Sequence, residues 1–428
     1  MRNRDMGLIW LGQVLSQAGT RMYQIAMLWW IITASTDGAG RHAGLFMVAG
    51  AVPALLFVKL IGRCVDRGDS KPLLVSCDIL SSLAVATVGL CLLASRLSLA
   101  WVYGTGFAVA LLQAFFDPTL NKAVSEAVSP EDIEEAVALQ SSTQYLASFG
   151  GAVAGALLID RAGLLGVVWL NALSFAASAV FNSFLKLKYR VGRNESAEAA
   201  RADISGWEIL RRMPLIRKTL IGSSLANFFM TPILVILPLY TKETLGGGAS
   251  LLGQLEASLW IGLLTGTLSS KWSRFPNNIL HLGAACFFSM GLCLLLQGLI
   301  VERVLFAALL FCAGAALGVN NVKSVALYQE IVRPEWKGRF FAVTQAILSF
   351  TFPLAYFLFG LLADRLSPPK VCIIQGVGVL SLAGYFLFLA LEEESPKAAG
   401  KDALPLPAAR APAGTTSAIA AGIGPSNA

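Results

Sequence analysis

Charged side chains are scarce in this sequence: Asp, Glu, Lys and Arg make up 14 % of its 428 residues, and histidine occurs only as His42 and His281. With 56 % hydrophobic residues the chain lies far from a soluble globular composition. Two scattered histidines are too few for a metal or relay site. The seven cysteines (Cys64, Cys77, Cys91, Cys286, Cys293, Cys312, Cys372) sit in or beside apolar stretches without metal-ligand or disulfide spacing, and are expected to act as small hydrophobes. There is no nucleotide loop, nucleophile motif or metal cluster. That argues against an enzyme, an ATP-driven pump or a cofactor. A cleavable signal peptide is also missing, because the first apolar run is too long and lacks a small-residue cleavage pattern. It is expected to serve as an uncleaved insertion signal.

What fills the chain instead is apolar runs. A span needs roughly 20 apolar residues, and such runs are found near 8 to 33, 42 to 61, 72 to 95, 98 to 116, 136 to 159, 163 to 187, 215 to 241, 251 to 270, 278 to 300, 303 to 323, 338 to 362 and 370 to 391. The net charge of +7 is explained by orientation rather than by nucleic acid. One set of alternate loops collects Arg2, Arg4, Arg63, Arg67, Lys71, the segment from Lys186 to Lys218, Lys271, Arg274, Lys323, Arg333, Lys337 and Arg339. The other set holds Arg41, Arg96, Arg161, Lys242 and Arg303. The positive-inside rule then places both termini and the central loop in the cytoplasm of a multi-pass protein of the cytoplasmic (inner) membrane.

The second half repeats landmarks of the first at a constant offset of 204 residues: Val128, Pro130 and Glu131 recur as Val332, Pro334 and Glu335, Asp160-Arg161 as Asp364-Arg365, and Gly62 as Gly266. Gap-free matches in three places imply duplication. The expected fold is an all-α membrane protein with 12 transmembrane helices in two six-helix bundles related by a parallel pseudo-two-fold repeat, with a substrate site between them at mid-bilayer depth. The expected units are a first bundle at 1–187, a cytoplasmic linker at 188–214, a second bundle at 215–391 and a tail at 392–428. The linker contains a candidate short interfacial helix at Trp207 to Arg212. The tail is rich in Ala, Pro and Gly, a composition that cannot bury enough apolar surface to order itself.

Between spans 2 and 3 lies Gly62-Arg63-Cys64-Val65-Asp66-Arg67-Gly68-Asp69-Ser70-Lys71. It resembles the G-x-x-x-D-R loop signature of the major facilitator superfamily. In that family Asp66 would accept hydrogen bonds from the start of span 11 at Gly338-Arg339 and hold the outward-facing state, joined by an acid of span 4, here Asp117. Lys71 is what remains of a later basic pair, and Ser270 stands where the second copy would carry its aspartate. Further motifs are Leu11-Gly12-Gln13-Val14-Leu15-Ser16-Gln17-Ala18-Gly19, Phe116-Asp117-Pro118, Asn171-Ala172-Leu173-Ser174-Phe175 and Gln329-Glu330-Ile331-Val332. Together, over residues 5 to 391, the chain resembles the macrolide-efflux and enterobactin-exporter branch of that superfamily. Thr20 replaces an aspartate usual in the branch, and Phe149 to Gly155 lacks a proline usual in antiporters, so proton coupling is not carried over in detail.

Gln13, Gln17, Arg21 and Gln24 share one face of span 1. A polar stripe in lipid must face protein or water; it either ties helices together or walls a cavity. Arg21 lies too deep for easy snorkelling, where a charge costs at least about 3 kcal/mol on insertion scales. Glu256 is the one acid well inside a span of the second half. The two either pair and close the extracellular side, or Glu256 takes a proton and frees Arg21 for an anionic substrate, or each is solvated alone. Other cavity candidates are Gln113, Gln140, Gln144, Asn227 and Gln345, with Tyr23, Tyr145, Phe228 and Tyr356 as aromatic walls. Lys59 and Asp78 are expected to form a structural ion pair, and Gly262-x-x-x-Gly266 and Gly151-x-x-x-Gly155 to mark close helix packing.

The resulting expectation is a monomeric secondary transporter with a small-molecule substrate and a proton or other coupling ion. It would export a drug, a macrolide-like compound or a siderophore by alternating access. A lysophospholipid translocator, a solute importer and a non-transporting membrane receptor or scaffold remain open at this point.

Overall fold

The computed structural model describes residues 4–128, 133–187, 205–270, 278–333 and 336–394; within 133–160 some side chains, Gln144 and Tyr145 among them, lie outside the description. Also outside it are the repeat landmarks Pro130, Glu131, Pro334 and Glu335, most of the expected linker, and nearly all of the expected tail.

The described residues form helices and turns, without a strand. In chain order the helices are α1 (Arg4–Ala34), α2 (Ala39–Leu56), α3 (Val58–Arg67), α4 (Ser70–Leu93), α5 (Leu99–Ala127), α6 (Ile133–Ser183) and α7 (Gly206–Arg211). They continue with α8 (Pro214–Met230), α9 (Ile233–Leu239), a π-helical turn (Tyr240–Thr244), α10 (Ala249–Ser269), α11 (Ile279–Leu299), α12 (Arg303–Ile331), α13 (Lys337–Ala363) and α14 (Pro368–Glu394). The duplication persists in the helix boundaries. α5 and α12 begin 204 residues apart, at Leu99 and Arg303, and end 204 apart, at Ala127 and Ile331. Their N-caps, Ser98 and Glu302, obey the same offset. Ser98 accepts from the Trp101 amide at 3.3 Å, and Glu302 accepts from the Leu305 and Val304 amides at 2.6 and 3.0 Å. Those bonds, Leu305's first, hold the Glu302 carboxyl below the ordinary glutamate range.

Among the described residues, ten helices are long and apolar enough to cross a bilayer. The two other expected crossings coincide with α1 and the first part of α6. α1 has ample length, 31 residues, but carries the polar stripe of Gln13, Gln17, Arg21 and Gln24. Among the described residues, the first part of α6 contributes the apolar stretch Leu146–Ile159. α6 breaks at Gly163, whose φ of 65° suits a residue without Cβ. Helices also run past the expected span ends: α5 continues to Ala127 rather than stopping near 116, and α12 to Ile331 rather than 323. The sequence analysis followed hydropathy, which stops at the membrane, whereas the helix carries on into polar residues.

Helix packing repeats as well. α2 packs on α5 as α10 packs on α12, α4 on α6 as α11 on α14, and α1 on α6 as α8 on α14. Between the halves, α2 meets α13 and α10 meets α6. A two-fold operation that exchanges the halves turns the first of these seams into the second. The tightest contact is α10 against α12, where a Cβ on Gly262, Gly266, Gly314 or Gly318 would strike a backbone carbonyl of the other helix. Small residues let the backbones touch, which in lipid replaces the missing hydrophobic drive. Gly151 and Gly155 do the same against Ala18 and Met22 of α1.

Two ends can be distinguished. At the near end, the Lys186 amide donates to Asp5 at 3.2 Å, Lys71 donates to the Leu185 carbonyl at 3.1 Å, and Lys218 pairs with Glu392 at 3.1 Å. These contacts gather the start of α1, the end of α6, the start of α8 and the end of α14. The far end carries the turns at 35–38, 94–98, 245–248, 300–302 and 364–367. The short helix α7 lies where the candidate at Trp207 to Arg212 is expected, one residue earlier, and packs on α8 and α13.

Candidate functional site

Arg21 and Glu256 meet across the seam. The Arg21 Nη2 donates to Glu256 Oε2 at 2.5 Å, with the side chains 11 % and 1 % exposed. Seven residues separate Glu256 from Ala249 at the start of α10, or about 10 Å at 1.5 Å per residue, so the pair sits inside the far end rather than at its surface. Arg21 Nη1 also donates to Gln24 Oε1 at 2.6 Å, and the guanidinium stands 5.4 Å from the Trp260 ring centroid. Trp260 lies one helical turn beyond Glu256, so one face of α10 offers both the carboxylate and an aromatic face to a cation. The Arg21 Nε has no hydrogen-bond partner among the described residues.

On the near-end side of this pair opens a cavity of about 410 Å³ walled by α1, α2, α5 and α13. Its walls are mainly apolar and aromatic, with Tyr23, Phe46, Met47, Phe352 and Tyr356 prominent. Thr20, Gln24 and Gln113 add polar points, and Asp117 is the one charged side chain among the described lining residues. Gln113 Nε2 donates to Asp117 Oδ1 at 2.6 Å, one turn away on α5. A mostly apolar hollow with a few placed polar groups is the usual build of a small-molecule site.

Further contacts join the halves at the far end. Asp364, just past α13, accepts from the Gly40 amide at 2.8 Å and the Arg41 amide at 3.1 Å. A Cβ on Gly44 would lie 2.5 Å from the Tyr356 carbonyl oxygen. Lys242 donates to the Ile32 carbonyl at 2.7 Å.

The remaining candidates are dispersed. Gln13 is buried in α1, Gln17 is half-buried with an Oε1 that has no partner among the described residues, and Asn227 is half-buried on α8. Gln140 donates to Asn121 at 2.7 Å and Gln345 to Ser349 at 3.0 Å, both away from the cavity. Gln144 and Tyr145 lie outside the described side chains. Phe228 stacks edge-on with Phe229 and Phe359 rather than lining the cavity. Of the near-end group, Asp66 and Arg67 are exposed on α3, and neither Gly62 nor Gly338 has an atom within 4 Å of where a Cβ would stand. Asp117 stands ten residues before the end of α5, in the cavity wall and not beside Asp66. The expected Lys59 to Asp78 ion pair is not formed. Asp78 is buried and accepts from Ser178 and Asn182 of α6, each at 2.8 Å, while Lys59 faces outward. Lys59 belongs to the amphipathic α3, which leaves α2 through the non-helical Phe57 and so carries the ammonium away from Asp78.

Sequence reasoning missed Phe46, Met47 and Phe352, for which hydrophobic residues give no signal. It also missed Trp260, which its one-turn spacing from Glu256 could have suggested, and Lys122, which donates to the Val65 and Gly68 carbonyls at 2.9 Å and ties down the end of α3.

The family model described as Major Facilitator Superfamily matches residues 9–354. The chain belongs to this superfamily. Among curated relatives, macrolide efflux protein A of Streptococcus pyogenes is 25 % identical over 380 residues, covering 88 % of this chain and 93 % of that protein. The multidrug efflux pump Tap of Mycolicibacterium fortuitum is 25 % identical over 408 residues, covering 89 % and 95 %. Among solved structures, a bacterial homologue of the human lysosomal transporter Spinster, in an inward-facing and occupied conformation, superposes with a TM-score of 0.70 at 15 % identity, over 90 % of this chain and 96 % of that one. A bacterial homologue of the iron transporter ferroportin, in an inward-facing state, gives 0.69 at 13 % identity, over 90 % and 98 %. This transporter therefore shares the major facilitator fold with structures whose sequences have diverged almost fully.

Proposed function

We propose that this transporter exports small amphipathic molecules of the neutral or cationic kind, as drugs and macrolide-like compounds are, by alternating access coupled to an ion gradient, most simply protons. The observation that carries this reading is the cavity: about 410 Å³, mainly apolar and aromatic, with Asp117 as the charge among its described lining residues. A carboxylate in a cavity whose walls also include Tyr23, Phe46, Phe352 and Tyr356 favours a lipophilic cation through charge and ring faces together, and repels an anionic siderophore. The relatives that are efflux proteins support the same direction.

In this reading the two bundles are residues 1–187 and 215–391, joined by 188–214 and followed by a tail. The near end is cytoplasmic, because the loops there carry Arg63, Arg67, Lys71, Arg333, Lys337 and Arg339. With the far end sealed, the cavity then faces the cytoplasm, ready to load. The protein is taken to work as a monomer in the cytoplasmic membrane. The test is accumulation of a labelled lipophilic cation, a neutral macrolide and an anionic catecholate in cells with and without the protein, before and after the proton gradient is collapsed. Lower, gradient-dependent accumulation of the first two is expected. Export of the catecholate alone, or equal accumulation of all three, would refute the proposal. Asp117→Asn should weaken export of the cation at least tenfold more than that of the neutral compound, the order of one lost charged contact.

A further inference from the structure

The contact of Asp364 with the start of α2 has a counterpart written elsewhere in the chain. α2 opens with Gly40-Arg41 and its continuation α3 ends with Gly62-x-x-x-Asp66-Arg67. α13 opens with Gly338-Arg339 and ends, one residue past its last helical position, with Gly360-x-x-x-Asp364-Arg365. All five positions match at one offset of 298 residues, which is not the offset of the duplication. α2 and α13 pack against each other and run in opposite directions, so Asp364 at the end of α13 lies beside the opening of α2. Matching positions on two antiparallel packed elements are the pattern an inverted repeat would leave.

Among the described residues, only the far-end aspartate meets the opposite helix start. At the far end the Asp364 carboxylate accepts from the Gly40 and Arg41 amides, the unpaired donors of a helix start, where the helix dipole favours a negative charge. The helices touch there: a Cβ on Gly40 would lie 2.7 Å from the Gly360 oxygen, and one on Gly360 would lie 2.7 Å from the Gly40 oxygen. Among the described residues, their counterparts at the near end, Gly338 and Gly62, have nothing within 4 Å. Asp66 is exposed and has no hydrogen-bond or ion-pair partner among the described residues. A glycine inside a helix costs about 1 kcal/mol relative to alanine, and in this conformation Gly62 has no contact that requires it. It becomes intelligible if the backbones meet there in another state.

We infer that α2–α3 and α13 form a double-ended latch, in which Asp364 on Gly40-Arg41 holds the far end shut as the counterpart of the near-end contact that the family resemblance implies for Asp66 on Gly338-Arg339, one at a time. Asp364 is thereby a conformational switch residue, although it touches neither the cavity nor the Arg21 to Glu256 pair. Rocking the pair of helices about their middle exchanges one carboxylate-to-amide contact for an equivalent one. The exchange is close to neutral in energy, which lets a modest driving force turn the transporter over.

The experiment is hydrogen–deuterium exchange of the full-length protein in lipid nanodiscs, followed in peptides covering 38–46 and 336–344, for the wild type, Asp364→Ala, Asp66→Ala and the double variant. Asp364→Ala should speed exchange at 38–46 by about tenfold, the size of one charged hydrogen bond to backbone, and slow it at 336–344. Asp66→Ala should do the reverse, and the double variant should fall between them. Asp364→Asn, which keeps an acceptor but not the charge, should shift both peptides in the same sense by less, and serves if the alanine variant is unstable. Faster exchange at 38–46 with no protection at 336–344 would show a plain helix cap and overturn the latch, as would no change at either. The readout is conformational, so it stands or falls independently of which compound is carried.

Discussion

Glu256→Gln is the sharpest perturbation the structure offers. The change keeps the side chain's size but leaves the Arg21 guanidinium, 11 % exposed, facing a neutral amide in place of the carboxylate at 2.5 Å. Breaking a buried ion pair from one side costs about 3–5 kcal/mol. Arg21 retains Gln24 and the face of Trp260, so the lower figure applies, about 3 kcal/mol. Because the two partners belong to different halves, the loss falls on the conformation with the far end closed. At 1.4 kcal/mol per tenfold, the ratio of closed to open far end should fall by about two orders of magnitude. The assay is a double-mutant cycle with Arg21→Met and Glu256→Gln, read by far-end accessibility and by thermal unfolding in detergent. Each single change should lower far-end closure. The double variant, which leaves no unpaired charge, should recover part of it, with a coupling of about 2 kcal/mol or more. The swapped pair, Arg21→Glu with Glu256→Arg, should regain transport that each single reversal abolishes. Additive defects would refute the reasoning and return the two residues to separate roles.

Two further predictions follow from the seam and from a cap. Gly44→Ala, whose Cβ would meet the Tyr356 carbonyl oxygen at 2.5 Å, should hinder far-end closure and cut transport severalfold, whereas Gly104→Ala, with nothing within 4 Å, should leave transport unchanged; flux measurements in vesicles would separate them. Glu302, whose carboxyl is held below the ordinary range by the amides of Leu305 and Val304, stabilises the start of α12 above the unfolded glutamate pKa. That contribution should fade as pH falls through the lower folded value, seen as faster amide exchange at 303–306 in acid. Glu302→Gln should show the faster exchange already at neutral pH and little further change on acidification.

How much was legible in the sequence depends on the kind of signal each residue leaves. The duplication was legible because it is arithmetic, and the offset of 204 survives in the helix limits Leu99, Arg303, Ala127 and Ile331. The meeting of Arg21 with Glu256 was legible because burying a charge in lipid is expensive enough to demand a partner, and the second half offers few. The pairing of Lys59 with Asp78 followed the same logic and failed. A buried carboxylate can be satisfied by neutral donors, and Ser178 and Asn182 stand one turn apart on α6, aimed at one oxygen of Asp78. Hydropathy and charge cannot distinguish that case from a salt bridge. The cavity wall was partly legible, through Gln24, Gln113 and Tyr356, because polar and aromatic residues inside a span need a reason. Phe46, Met47 and Phe352 need none, since lipid would accept them equally well. The same contrast explains Asp117 and Asp364. As residues of known motifs they were read for local roles, one as a gate and the other as a repeat landmark. What each does depends on the helix packed opposite, and that partner becomes visible only when α13 is laid antiparallel on α2.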